Sequence, residues 1–81
     1  MKLFDLKVWD LDKELFTGKV SSVKVSAIDG GVQILAGHIP YINALKPNSQ
    51  IEFVDESGKI IKLNAAKGFL NVREDTAYVF I

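Results

Sequence analysis

Apolar and polar residues alternate with a period of two along most of the chain. Near the start, Phe4, Leu6 and Val8 are separated by charged residues. Because successive side chains of a strand point to opposite faces of a sheet, this alternation predicts half-buried strands. The same pattern recurs over Val23–Ala27, Ile51–Phe53, Ile61–Ala65, Leu70–Val72 and Ala77–Ile81.

The pattern contains almost no signal for helices. The best helical candidate, residues 40–46, begins with Pro40, is barely two turns long and is bounded by Pro47, so an extended segment is an equal alternative. Acid-rich turns recur every 8–15 residues or so, as in a meander or sandwich. We therefore predict one all-β domain over residues 1–81, a small flattened β-sandwich or barrel of about 8–10 short strands with no substantial helix.

One interruption of the alternation predicts a bend. Ser21 and Ser22 stand between Val20 and Val23, which cannot share a face of a regular strand. A β-bulge at this point, just after Gly18, restores the phase and lets the sheet curl over its own core.

Composition narrows the possible functions. The 81 residues are 48% hydrophobic and have no net charge, and the bases are spread along the chain without a cluster, which argues against nucleic-acid binding. The absence of Cys excludes disulfides, thiolate metal sites and a cysteine nucleophile. The apolar runs are too short to span a membrane, and Asp5 interrupts any signal peptide. We expect a soluble, intracellular protein.

No group of residues predicts catalysis, a cofactor or a metal. His38 is the single His and lies between a Gly and an Ile-Pro pair, without a nucleophile or further ligands at a suitable spacing. The acids of residues 10–14 and the Asp29-Gly30-Gly31 segment fit turns better than a calcium or phosphate loop. Trp9 falls on the face opposite the apolar residues of its strand, where it is either exposed or covered by a partner.

The segment from Asp29 to Pro47 resembles one specific family. It matches the pattern Gly-x-x-Gly-Ile-x-x-Gly-His-x-Pro followed by Lys-Pro-Gly, which is typical of the N-terminal β-sandwich domain of the epsilon subunit of F-type ATP synthases, the delta subunit of mitochondria. The matching residues are Gly30, Ile34, Gly37, His38, Pro40, Lys46 and Pro47. Phe16–Val20 and Gly68–Val72 match flanking family patterns, whereas Gln33 and Asn48 replace family glycines.

The resemblance implies a non-catalytic rotor subunit without a cofactor. Such a subunit links the gamma subunit to the ring of membrane c subunits, and thereby couples proton or sodium flow to ATP synthesis. It touches the ring and not the lipid, at the cytoplasmic face of the bacterial inner membrane. The alternative is a free-standing β-sandwich module that binds a peptide or a carbohydrate.

The resemblance also implies contact residues. Asp29, Gly30, Gly31 and Val32 correspond to the loop that touches the c ring. Asp10, His38 and Asn43 correspond to positions beside gamma, and their apolar neighbours Tyr41 and Ile42 join that contact. Family members continue into a helical hairpin that can inhibit hydrolysis or bind ATP; since this sequence ends at Ile81, we expect a short form that does neither.

Overall fold

The computed structural model describes residues 2–81, so Met1 of the predicted domain lies outside it. These residues form eight strands and no helix. The strands are β1 (Phe4–Asp10), β2 (Lys13–Ala27), β3 (Gly30–Ile34), β4 (Tyr41–Ala44), β5 (Ser49–Asp55), β6 (Ile60–Ala65), β7 (Phe69–Arg73) and β8 (Thr76–Phe80). The all-β prediction is confirmed. The helical candidate is extended and forms β4, while β2 is longer than predicted, with 15 residues.

The strands form one continuous sheet that folds into two layers. The order is β4-β7-β8-β1-β2-β5-β6, and β3 also pairs with β2. The first half of β2 pairs with β1, and its second half pairs with β3 and β5. All pairings are antiparallel except that of β1 with β8. The first layer therefore consists of β4, β7, β8, β1 and the first half of β2, and the second layer consists of the second half of β2 with β3, β5 and β6.

The predicted bulge lies where β2 passes between the layers. Its register against β5 shifts between Val20 and Ser22. The extra residue keeps both Val20 and Val23 on the inner side, where neither is exposed to solvent. A second shift, between Val8 and Trp9 of β1, leaves Leu15 of β2 without a register partner. Bulges bend a strand and increase its twist, and this allows β2 to cover two sides of the core.

The core is the space between the two layers. Phe53 is fully buried at its centre and packs against the half-buried Phe16, with ring centroids 4.6 Å apart. The other core residues come from every strand except β4, together with Leu45: Phe4, Leu6, Val8, Val20, Val23, Val25, Ile34, Ile51, Ala65, Leu70, Val72, Ala77 and Val79. The period-two pattern of the sequence therefore identified the buried face of nearly every strand.

Backbone hydrogen bonds close one side of the sandwich. The Ile28 N–H donates to the Ala44 carbonyl at 3.1 Å, and the Lys46 N–H donates to the Ser26 carbonyl at 2.7 Å. These bonds join the end of β4, in the first layer, to the end of β2, in the second. The Leu45 N–H donates to the Gly68 carbonyl at 2.9 Å on the other side. Strand β4 is thus held by neighbours in both layers.

The turns agree with the residues that occupy them. Asn48, which replaces a family glycine, has a φ of 55°, a conformation that Asn tolerates better than most residues. The turn between β5 and β6 is built around the Asp55 carboxylate, which accepts bonds from the Ser57 hydroxyl and the N–H groups of Lys59 and Ser57. The hydroxyl bond, followed by that from Lys59, lowers the pKa of Asp55 below its ordinary value.

Candidate functional site

The turn between β2 and β3 carries the predicted ring-contact residues. Ile28 and Asp29 form its tip, and Gly30, paired with Ala27, adopts a φ of 139° that favours glycine. Asp29, Gly30 and Gly31 are exposed, and a side chain added at either glycine would meet open space. Val32 is half-buried and packs against the core. The accessible part of this segment is therefore largely bare backbone.

Strand β4 divides the predicted gamma-contact residues between two faces. Tyr41 and Asn43 pair with the buried Val72 and Leu70, so their side chains point toward the second layer. Ile42 lies on the outer face and is 67% exposed. Just before the strand, the half-buried His38 ring meets Tyr41 edge-on, with the centroids 5.9 Å apart, and its Nδ1 lies 2.7 Å from the Ile39 carbonyl oxygen.

The Asn43 side chain connects β4 to the β2–β3 turn. Its Nδ2 donates to Asp29 Oδ1 at 2.8 Å and to the Tyr41 hydroxyl at 2.9 Å. Its Oδ1 accepts the Ala44 N–H at 2.8 Å. Residues that were assigned to two different contacts, Asp29 to the ring and Asn43 to gamma, are thus hydrogen-bonded to each other.

The structure separates Asp10 from His38. Strands β1, β8 and β4 all run in one direction, so Asp10, the last residue of β1, lies at the same end of the layer as Ala44. His38 precedes β4 and lies at the opposite end, where the Gly37 N–H donates to Asp75 Oδ1 at 3.0 Å. From the level of Asp5, which pairs with Thr76 next to Asp75, Asp10 is about 17 Å farther along the strands.

A row of outward-facing aromatic side chains crosses the first layer from Asp10 toward β4. Trp9 pairs with Phe80, Phe80 with Phe69, and Phe69 with Ala44, so all four side chains lie on the outer face. Phe69 and Phe80 are 41% and 36% exposed and stack with centroids 4.9 Å apart. We call Trp9, Phe69 and Phe80 the aromatic row. Leu11, which is 92% exposed, lines a shallow groove beside the two phenylalanines.

Sequence reasoning found one end of this row and missed the rest. Trp9 was predicted to lie outside the core, and it is half-buried on the outer face. The outward orientation of Phe69 and Phe80 could also have been predicted, because both alternate with buried neighbours, Leu70 and Val79. Their adjacency to Trp9 could not have been predicted, since it depends on the order of strands in the sheet.

Two basic side chains lie on the same outer face, beside the aromatic row. The Lys7 Nζ and the Arg73 guanidinium lie 5.8 and 5.7 Å from the centroid of the Tyr78 ring, the outward residue of β8 next to Phe80. The aliphatic stems of such side chains cover part of an aromatic surface while their charges stay in water. The outer face of this layer therefore combines an apolar strip with a positively charged margin.

The described residues contain neither a metal-binding cluster nor a membrane helix. Over residues 2–81, no three or more His, Asp or Glu side chains converge in a way that could hold an ion. The same part of the chain includes no helix of the length and hydropathy needed to cross a membrane. What the geometry offers is contact surface: a glycine turn, the exposed outer face of β4 and an aromatic row.

Comparison with known proteins gives a consistent result. The family model described as "ATP synthase, Delta/Epsilon chain, beta-sandwich domain" matches residues 3–81. The ATP synthase epsilon chain of Clostridium kluyveri is 31% identical over 74 residues, which are 91% of this chain and 55% of that relative. The chain thus spans about half the length of the curated relatives that it matches.

Two solved structures share the fold. A chain in the cryo-EM structure of Euglena gracilis mitochondrial ATP synthase has a TM-score of 0.89 and 21% identity, with coverage of 96% of this chain and 49% of that one. A chain in the Tetrahymena thermophila mitochondrial ATP synthase central stalk and c-ring has a TM-score of 0.75 and 13% identity, with coverage of 94% and 60%. The chain belongs to the β-sandwich domain family of the ATP synthase delta and epsilon chains.

Proposed function

We propose that the chain is a non-catalytic rotor subunit of an F-type ATP synthase that links the gamma subunit to the ring of c subunits. In this role it transmits torque, so that proton or sodium flow through the ring is coupled to ATP synthesis. Family membership and the epsilon-chain relative support the role. The bacterial relative favours a location at the cytoplasmic face of the inner membrane.

The aromatic row is the observation that carries the proposal. Protein interfaces are enriched in aromatic residues, and a contiguous apolar strip on a small domain marks a contact surface. The row begins beside Asp10 and ends at β4, where Ile42 is exposed on the same face. We therefore assign the gamma contact to this face, with Asp10 and His38 at its margins.

The β2–β3 turn suits a second, separate contact. The backbone of Gly30 and Gly31 carries no side chain, and the space beside each glycine is open. A partner loop can therefore approach these peptide groups closely and bond to them. The turn adjoins the gamma face through the Ile28–Ala44 hydrogen bond, so one rigid edge serves both contacts.

Cross-linking tests the gamma contact. Since the chain contains no Cys, single-Cys variants give one reactive site each. We expect Asp10→Cys and His38→Cys to form cross-links to gamma in the assembled enzyme, because both positions border the proposed face. Lys62→Cys, on the exposed outer side of β6 in the other layer, is the control and should not. Cross-linking only to alpha or beta, or equal capture from the control, would place the gamma contact elsewhere on the chain. A chain that does not associate with gamma at all would favour the free-standing binding module.

A substitution at Gly31 tests the ring contact. We expect Gly31→Trp to weaken retention of the c ring by about tenfold or more, because a large side chain holds the partner away from the backbone. The measurement is the dissociation of the ring from the reconstituted central stalk. Gly31→Ala is the matched control, since a single methyl group enters open space there. Normal ring retention by the tryptophan variant would exclude this contact.

A further inference from the structure

Asn43 is a polar residue on the inward face of an edge strand, and its hydrogen bonds fix its amide in one orientation. The Ala44 N–H can only donate, so the atom that it contacts at 2.8 Å must be Oδ1. The Asp29 carboxylate can only accept, so the atom 2.8 Å from it must be Nδ2. The second hydrogen of Nδ2 is used by the Tyr41 hydroxyl at 2.9 Å. Three partners therefore determine the rotamer.

The bond to Asp29 adds a side-chain link between the tip of the β2–β3 turn and β4. The tip of the β2–β3 turn is tied to β4 by one backbone bond, from the Ile28 N–H to the Ala44 carbonyl. Beyond the tip come two exposed glycines, which have more conformational freedom than any other residue. The base of the turn is held by the bond from the Lys46 N–H to the Ser26 carbonyl, at 2.7 Å, so a second bond at the tip fixes the orientation of the tip itself. The Asn43–Asp29 bond is the second one.

We propose that Asn43 is a positioning residue that holds the β2–β3 turn in the orientation required for docking on the c ring. This inference rests on the proposed function, and it assigns Asn43 to the ring contact and not to gamma. Through Asn43, the strand that carries the exposed Ile42 on its outer face fixes the ring-facing turn from its inner face. The gamma and ring contacts are thus anchored on opposite faces of one strand.

A reciprocal exchange of the two side chains tests the proposal. Asn43→Asp places two carboxylates where the present atoms are 2.8 Å apart, and their repulsion should release the turn. We expect ring retention in the reconstituted stalk to fall about tenfold, the equivalent of losing one charge-assisted hydrogen bond. The double variant Asn43→Asp/Asp29→Asn restores a donor–acceptor pair with reversed direction. Its ring retention should return to within about twofold of the parent.

Binding to gamma alone provides the readout that a merely structural role would not give. If Asn43 positions the turn, both variants should bind gamma as the parent does, and only ring retention should change. An equal loss of gamma and ring binding by the single variant would indicate general unfolding and overturn the proposal. Failure of the double variant to recover ring retention would also overturn it.

Two further variants keep the test decisive if Asn43→Asp does not fold. Asp29→Ala removes the acceptor without adding a charge, whereas Asp29→Asn keeps an acceptor oxygen for Asn43 Nδ2. The proposal requires weaker ring retention from the first than from the second, and equal retention contradicts it.

The Gly31→Trp variant separates the positioning role of Asn43 from the proposed ring contact itself. If it releases the ring and the Asn43 variants do not, only the positioning role fails; if none of them does, the ring contact itself is wrong.

Discussion

Replacing Phe69 and Phe80 together by Thr is expected to weaken binding of the gamma subunit about 100-fold. The two rings stack on the outer face and form most of the exposed aromatic surface of the row. Truncation of a central interface aromatic typically costs about 2 kcal/mol or more, and the effects of neighbours are less than additive. A combined loss of about 3 kcal/mol corresponds to roughly two orders of magnitude in Kd. Thr preserves the β propensity of both strands.

Ile60→Thr is the matched control for this double variant. Ile60 is 58% exposed, lies at the start of β6 and belongs to the second layer, away from the face that we assign to gamma. Loss of its exposed side chain should change gamma binding less than about twofold, while the double variant and the control keep similar unfolding midpoints. The measurement is titration of isolated gamma with each variant. Binding by the double variant that matches the control would exclude the aromatic row as the gamma contact.

The inward and outward faces of the strands could be predicted from the sequence because they depend on local spacing alone. Leu6 and Val8 differ from Lys7 by one position, and a period of two assigns them to opposite faces in any sheet. The bulge at Ser21 and Ser22 was predictable for the same reason, since it is a local shift of that period. These features require no knowledge of which strands are neighbours.

The contact surface depends on strand order, which local spacing does not specify. The parallel pairing of β1 with β8 brings Trp9 beside Phe80, although 71 positions separate them in the chain. The same sheet order separates Asp10 from His38 by placing them at opposite ends of the layer. Family resemblance supplied both residues as gamma contacts without indicating that the aromatic row extends across the face from Asp10. The pairing of strands that are far apart in the chain is the information that a single sequence does not supply.

The Asn43–Asp29 bond also depends on a contact between distant parts of the chain that local spacing does not specify. In the strand that residues 41–44 form, alternation places Asn43 on the face opposite Ile42, where an apolar residue would be the ordinary choice. A polar side chain at such a position indicates that a partner is present, because buried amide groups are rarely left without hydrogen bonds. The strand position of Asn43, which the sequence left open between a helix and an extended segment, therefore indicates a partner, and the closure of the two layers identifies it as Asp29.

Replacement of Gly68 by Ala is expected to remove about 3 kcal/mol or more of the free energy of unfolding, a large part of the roughly 4–12 kcal/mol available to a domain of this size. Gly68 has a φ of 153°, and a Cβ at this position would overlap the Phe80 carbonyl oxygen and lie 3.0 Å from the Ile81 Cα. Because these atoms are backbone, the overlap can be relieved only if β7 and β8 separate, and this displaces the buried Leu70 and Val79 that pair across them.

Gly31→Ala is the control, as no atom lies within 4 Å of its added Cβ, and it should change stability by less than about 1 kcal/mol. Urea unfolding followed by circular dichroism measures both variants. A loss below about 1 kcal/mol for Gly68→Ala would mean that the close approach of its backbone to Phe80 is not maintained in solution. The positions of Phe69 and Phe80 in the aromatic row would then not be fixed either, because Phe69 directly follows Gly68 and its ring stacks on that of Phe80.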